Sequence, residues 1–423
     1  MVERQSLIIS GVPWFDDRGR TVNAHGGCIV QEGDWYYLFG EYKTDEENKF
    51  AGFSCYASLD LVHWQFRRIV LPQQSDGLMG PGRIGERVKV MRCPATGQYV
   101  MYMHSDDLGY YDPHICYAVC DAIDGEYQFQ GPLLFDGEPI RRWDLGVFQD
   151  DDGTGYLLVH EGDIYRLAND YCSAEQRVGE GIALGGEAPA VAKLDGRYWL
   201  LFSGKTSWDC NENYCLSAPS MSGPWTYQGL FAPEGTQTCN SQTLYALPVT
   251  TEHGMVSMFM GDRWSFPHQA SAATYVWQQL IVRDGRLRLD RYVPSWNPGT
   301  GEAEPLRGRS IDVGFHSYVA GESVKIPFYG SRVALIGRAD PWGSYARIGI
   351  RRADGSTAVE DIFVSFYAKS PDESYRYVSP ELPEGDYMVT VTVTGEVPQW
   401  TDKSGQRFGS VGSVVDVRNA IVQ

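Results

Sequence analysis

Long apolar runs are missing from this sequence. No stretch approaches the roughly 20 consecutive apolar residues that a membrane-spanning helix requires. The first ten residues, Met1 to Ser10, lack the apolar core of a secretion signal, so a cytoplasmic protein is expected. Basic residues are scarce: 36 Lys and Arg stand against 54 Asp and Glu, a formal charge of −18. Polyanions would be repelled, which argues against nucleic acid and anionic membranes as partners. Cysteine occurs 9 times, never as CxxC and never after Cys239, so no structural zinc is expected. Helical periodicity of useful length is also absent.

Aromatic residues, by contrast, are abundant, with 12 Trp and 26 Tyr, and Gly is frequent. Aromatics, Gly and short apolar runs together predict an all-β protein. They also suit carbohydrate, whose C–H faces pack on aromatic rings. Up to about residue 300 one arrangement recurs: an apolar strand, a turn, then a second strand rich in aromatics. The pairs are 26–30 with 35–41, 87–91 with 98–104, 145–148 with 155–160, 186–191 with 196–203, and 242–247 with 255–260. Further strand-like pieces lie between them, such as 54–58 and 214–218. Units of about four strands, repeating roughly every 45–60 residues, predict a five-bladed β-propeller over residues 1–300. Residues 296–305, rich in Gly, Pro and Glu, read as a linker. Strands at 324–328, 332–337, 346–350 and 386–393 then predict a C-terminal β-sandwich, jelly-roll-like, over 308–423.

One polar residue precedes the first strand of each unit: His25, Glu86, Asp144, Glu187 and Gln242. In a propeller the innermost strands converge on the axis, so these side chains would crowd into one funnel. Glu187 is the oddest, a lone carboxylate between Gly185-Gly186 and Ala188-Pro189. Clustered carboxylates repel and raise at least one pKa, which keeps a carboxyl protonated and able to act as a general acid. Three carboxyls in an aromatic funnel point to glycoside hydrolysis. Around them, Glu41 ends the second strand of unit one. Thr206 and Trp208 follow that strand in unit four, and Asp262, Arg263 and Trp264 do so in unit five. These are candidate substrate contacts, with packing between blades the other reading of both Trp residues. Asp150-Asp151-Asp152-Gly153 lacks the alternating ligands of a calcium loop and reads as a solvated hairpin turn. No metal site and no cofactor are expected.

Several stretches resemble glycoside hydrolase family 43, and its exo-β-1,3-galactanase branch in particular. They are Asn23-Ala24-His25-Gly26-Gly27, Phe39-Gly40-Glu41, Gly85-Glu86-Arg87-Val88-Lys89, Phe148 to Gly153, Glu187-Ala188-Pro189-Ala190, Asn240-Ser241-Gln242-Thr243 and Gly261-Asp262-Arg263-Trp264. The resemblance implies an inverting mechanism with Glu187 as general acid and Asp144 as the carboxylate that orients it and adjusts its pKa. Most of the family carries its base as an Asp on blade one; here that stretch has none. The branch implies instead that Gln242 positions the water, that Glu86 is a further sugar-binding carboxylate, and that Glu41 and Thr206 contact the sugar.

The expected activity is therefore exo-acting, inverting release of terminal galactose, or a similar sugar, from plant-type oligosaccharides. An arabinofuranosidase or galactofuranosidase of the same fold is the alternative. A non-catalytic sugar-binding propeller is the rival from another class, favoured by the absent Asp. A phosphorolytic enzyme would need a basic pocket, for which Arg83, Arg87 and Lys89 are the candidates. In the tail, Trp342, Tyr345 and Trp400 read as core packing or as sugar contacts.

Overall fold

A computed structural model describes residues 6–423; the first five, part of the stretch read for a leader, lie outside it. The chain is nearly all β. Among the described residues its two α-helical segments are single turns, Gln237–Asn240 and Gln269–Ala272. The five expected strand pairs are present as antiparallel hairpins. Each belongs to a sheet whose strands pair in sequence order. Sheet one holds His25–Glu32, Trp35–Glu41, Gly52–Ser58 and Gln65–Pro72. Sheet two holds Arg83–Arg92, Tyr99–Asp107, His114–Cys120 and Gln128–Pro132. Sheet three runs Leu145–Gln149, Gly155–Val159, Ile164–Leu167, Ala174–Gly179 and is extended by Leu134–Phe135 and Glu138–Pro139. Sheet four holds Gly186–Leu194, Arg197–Gly204, Tyr214–Ala218 and Thr226–Leu230. Sheet five holds Gln242–Thr251, Gly254–Arg263, Thr274–Arg283 and Arg286–Arg288.

The second strand of sheet two shows why these strands read as unbroken apolar runs. Alternate residues of a strand face opposite sides. Tyr99, Met101 and Met103 pack against sheet one, with Cys28, Phe39 and Phe53. Val100 and Tyr102 pack against sheet three, with Leu145, Val147 and Leu157. Both faces are buried, so no polar alternation remains. Similar cores lie between sheets three and four, four and five, and five and one. The first strand of each sheet touches those of its two neighbours, and the ring closes between sheets five and one. Ile8–Ile9 pairs with Ser295–Trp296 after sheet five, joining the two ends of the ring.

Trp296, expected to open a linker, is instead buried in the core between sheets five and one. Its indole donates to the Trp277 carbonyl at 3.0 Å. Residues 309–422 form two further four-stranded sheets around one core that includes Val333, Leu335, Ile348, Val389, Val391 and Val417. Tyr345 is fully buried and Trp400 nearly so, as packing residues, whereas Trp342 is exposed. The Asp150–Gly153 turn closes the first hairpin of sheet three, and Lys193 pairs with Asp150 and Asp151 at 2.6 and 2.7 Å.

Candidate active site

The five polar residues do lie at equivalent places. His25 and Gln242 open the first strands of their sheets, Asp144 directly precedes one, and Glu86 and Glu187 sit near the start of theirs. Each is aligned with the end of the second strand: His25 with Glu41, Glu86 with His104, Glu187 with Ser203 and Gln242 with Asp262. For Asp144 the partner is His160, whose N–H donates to the Asp144 carbonyl at 3.1 Å.

Backbone irregularities aim these side chains. In sheets one, two and four the register slips just after the polar residue. The next residue there, Gly26, Arg87 or Ala188, is left-handed, with φ of 63°, 58° and 54°. Asp144 is itself left-handed at 40°. Bulges of this kind bend a strand and redirect a side chain, and strained non-glycine residues persist where the surroundings hold them. Ahead of Gln242 the strain is greater. Gln237, Thr238, Cys239 and Asn240 form a left-handed turn, which costs about 1 kcal/mol or more per residue. Glu212 offsets this by accepting from Gly235 N–H, Gln237 N–H and the Gln237 amide. Arg263 donates to the Cys239 carbonyl from the other side.

One hydrogen-bond network joins the site. Gln242 donates from Nε2 to Glu187 Oε1 and to Ser203 Oγ, both at 3.0 Å. Its Oε1 accepts from Arg87 at 2.6 Å and from the Trp264 indole at 2.7 Å. Arg87 donates from Nε to Asp144 Oδ1 at 3.1 Å, and Asp144 Oδ2 accepts the Ala188 N–H at 3.0 Å. The Arg87 N–H donates to Glu41 Oε1 at 2.8 Å, and Glu41 Oε2 pairs with Lys43 at 2.6 Å. Glu86 Oε1 accepts from Tyr110 at 2.8 Å and Asn48 at 2.9 Å, and its Oε2 lies 3.6 Å from His104 Nδ1.

This network separates the carboxyls electrostatically. Burial, reinforced by the Asp144 charge, pushes the Glu187 carboxyl up to about 8. Burial also raises Asp262, to about 7, and raises Glu41. Burial opposes the charge on Glu86 as well, but His104, Lys43 and Asn48 overcome it and hold that carboxyl below the ordinary range. The site therefore pairs a carboxylic acid protonated near neutrality with a carboxylate kept ionised, the division of roles that acid–base hydrolysis needs.

The other expected residues divide. Trp264 stands inside the site, with the Arg87 guanidinium 5.3 Å from its ring. Asp262 accepts the Gly26 N–H at 2.6 Å. His25 is fully buried and stacks on Tyr275 with centroids 5.1 Å apart; burial pushes its pKa down to about 3. Thr206 spends its hydroxyl inside its own loop, donating to the Asp209 carbonyl at 2.7 Å. Arg263 pairs with Asp372 of the C-terminal sheets at 3.1 Å. Trp208 stacks on Phe266 at 4.6 Å.

Arg87 was legible only as a phosphate ligand, yet it ties Asp144 to Gln242. Lys89 is buried, with Nζ donating to the Gly26 carbonyl at 2.8 Å, and Arg83 pairs with Asp112 at 2.9 Å. All three basic residues are committed within the protein, so they form no phosphate pocket. Sequence reasoning also missed His104, His160 and Ser203. They lie opposite Glu86, Asp144 and Glu187, as Glu41 and Asp262 lie opposite His25 and Gln242, and that register was the available signal. Lys43, Asn48, Tyr110 and Trp143 lie in loops that carry no such signal. Glu86, His104 and Asp144 place ligand atoms within 4.8 Å of one another. Arg87, Lys43, Asn48 and Tyr110 already donate to or pair with those carboxylates, and Arg87 and Lys43 bring positive charge to them.

No family profile and no curated protein matches the chain. Solved structures do. A Bifidobacterium bifidum s17 protein assigned as an exo-β-1,3-galactanase is 37% identical over 67% of this chain and 96% of its own, with a TM-score of 0.62. The exo-β-1,3-galactanase of Phanerochaete chrysosporium, determined with galactose, is 26% identical over 99% of this chain and 100% of its own, with a TM-score of 0.73. A family 43 β-1,3-galactosidase determined with galactodeoxynojirimycin is 29% identical over 69% of this chain and 100% of its own, with a TM-score of 0.61. Sheets, site and relatives together define a glycosidase. The chain belongs to glycoside hydrolase family 43, and its similarity is to the exo-β-1,3-galactanases of that family.

Proposed function

We propose that the protein is an exo-acting, inverting glycosidase that releases terminal β-1,3-linked galactose from oligosaccharides. The observation that carries this is the Glu187 carboxyl, pushed up to about 8 and held by Gln242 at 3.0 Å. The galactose and the galactodeoxynojirimycin in the similar enzymes support the choice of sugar. The five sheets are read as blades of one propeller within residues 1–300, with residues 308–423 as the sandwich.

Glu187 gives its proton to the departing glycosidic oxygen. Asp144 keeps that proton on Glu187 between turnovers through its charge, and its own position is fixed by Arg87 and Ala188. The Gln242 amide nitrogen holds the acid in place, and its oxygen, with both acceptor positions filled by Arg87 and Trp264, takes no proton. Glu86, held ionised, takes the proton of the attacking water. A carboxylate held so low is a weak base, so the acid carries more of the catalysis. Trp264, partly exposed, faces the sugar, and the buried Glu41, Asp262 and His25 support the site from behind.

The test is incubation with β-1,3-galactobiose and, in parallel, aryl arabinofuranosides. Galactose release, with the inverted anomer first in proton NMR, is expected. Glu187→Gln should lower turnover of the disaccharide by about 1,000-fold or more. Release from the arabinofuranosides alone would replace the sugar, and a retained anomer would replace the mechanism.

A further inference from the structure

The C-terminal sheets carry one hairpin that reaches the face on which the site opens. Its strands, Gln399–Thr401 and Arg407–Gly409, pair antiparallel. Asp402 closes the turn between them by accepting from the Ser404 and Gln406 N–H groups and from the Ser404 hydroxyl. The base of the hairpin is fixed to the loops of sheets four and five. Gln399 N–H donates to the Phe266 carbonyl at 3.2 Å. Trp400 lies edge-on to Trp208 with centroids 6.2 Å apart, and Trp208 stacks on Phe266. The tip stands against sheets two and three. There Lys403 Nζ lies 5.5 Å from the centroid of the Tyr111 ring and 5.9 Å from that of Trp143. The hairpin thus spans the mouth from the side of Glu187 and Gln242 to the side of Glu86 and Asp144.

We propose that this hairpin is the wall of the leaving-group subsite, with Lys403, Tyr111 and Trp143 contacting the sugar next to the one released. The inference deepens the glycosidase reading and rests on it. Three observations support it. Trp143 directly precedes Asp144, and one face of its ring is stacked on His160 at 3.4 Å, which fixes the ring beside the acid's partner. Tyr111 is 71% exposed, apolar surface that a sugar ring would cover. Lys205, the other ammonium over Trp143, is paired with Glu161 at 2.6 Å. Lys403 makes no ion pair among the described residues, which leaves its N–H groups for hydroxyls. The ligand is a neutral oligosaccharide of two or more sugars that enters by its end, because the hairpin bars its passage across the mouth. The C-terminal domain is then part of the active site rather than a separate sugar-binding appendage.

Lys403→Ala, Tyr111→Ala and Lys403→Arg test this by a split of kcat, KM and product inhibition. Each alanine variant should raise KM for β-1,3-galactobiose about fivefold, equivalent to about 1 kcal/mol of lost contact. kcat should stay within about twofold, the pattern of lost binding rather than lost chemistry. Inhibition by free galactose, which does not reach this subsite, should not change, and Lys403→Arg should recover most of the KM. Unchanged KM in both alanine variants, or an equal weakening of free galactose, overturns the inference. If the unmodified protein cleaves no β-galactoside, the sugar assignment alone fails. The same split then decides the subsite on the disaccharide it does cleave and the monosaccharide it releases.

Discussion

Gln242 donates to Glu187 through its amide nitrogen while its oxygen accepts from both Arg87 and Trp264. Turning the amide over would set its NH2 group against a guanidinium and an indole N–H, so the orientation is fixed by the network. A donated hydrogen bond favours an ionised carboxyl. Glu187 nonetheless keeps its proton, because burial and the neighbouring Asp144 charge outweigh Gln242 and Arg87. Asp144 is therefore the adjustable element in the acid's pKa.

Asp144→Asn should move the alkaline limb of activity. The acid works only while protonated, so activity falls as pH rises through the Glu187 pKa near 8. Removing the Asp144 charge lowers that pKa, and the limb shifts toward acid. The variant also loses one of the two acceptors that hold Arg87 and Ala188, so kcat at neutral pH should fall by about 100-fold. Profiles of kcat/KM against pH decide the point; a limb that stays in place would remove Asp144 as the modulator.

Gly26→Ala should disable the site from beneath. Gly26 has φ 63°, and an added Cβ would meet Glu41 Oε1 at 1.8 Å. The left-handed backbone alone costs a side chain about 1 kcal/mol. Glu41 must also move, and with it go the acceptor of the Arg87 N–H and the partner of Lys43. The expected result is loss of about 2–3 kcal/mol of stability and a drop in kcat/KM of about 100-fold. Thermal melts and galactobiose assays check the two halves separately. Full activity in a folded variant would show that Glu41 does not depend on this glycine.

The sheets were legible because each strand is buried on both faces, as Tyr99 to Met103 show, and unbroken apolar runs between turns announce such strands. Glu187 was legible because charge between Gly and Ala-Pro has no local reason to be there. The network around it was not. Arg87 joins groups 57 and 155 residues away in sequence, and only the ring of sheets brings them together. Trp296 was misread because the Pro and Gly after it resemble a linker, whereas its own ring fills the joint at which the ring of sheets closes. Trp208 read equally as a sugar platform or as packing between blades; it packs, with its face on Phe266 and its edge near Trp400, a contact made across to the C-terminal domain.

His104 should make stability depend on pH with a definite sign. The ring is fully buried, with Nε2 3.1 Å from Asp106 Oδ2 and Nδ1 3.6 Å from Glu86 Oε2. Burial disfavours its charge, but these two carboxylates overcome it and push its pKa from 6.5 up to about 9. A group whose folded pKa is raised stabilises the fold fully below its unfolded pKa and loses that contribution as pH rises through the folded one. The window here runs from about 6.5 to about 9. The upper bound is on the order of 3 kcal/mol, from the free energy carried by each pKa unit. His104→Asn removes the titrating group, so its penalty should be largest near pH 6 and shrink toward pH 9.5. Urea unfolding of both proteins across that range measures it. A penalty equal at both ends would mean that His104 is packed as a neutral ring, and that Glu86 owes its ionised state to its other partners, Lys43, Asn48 and Tyr110.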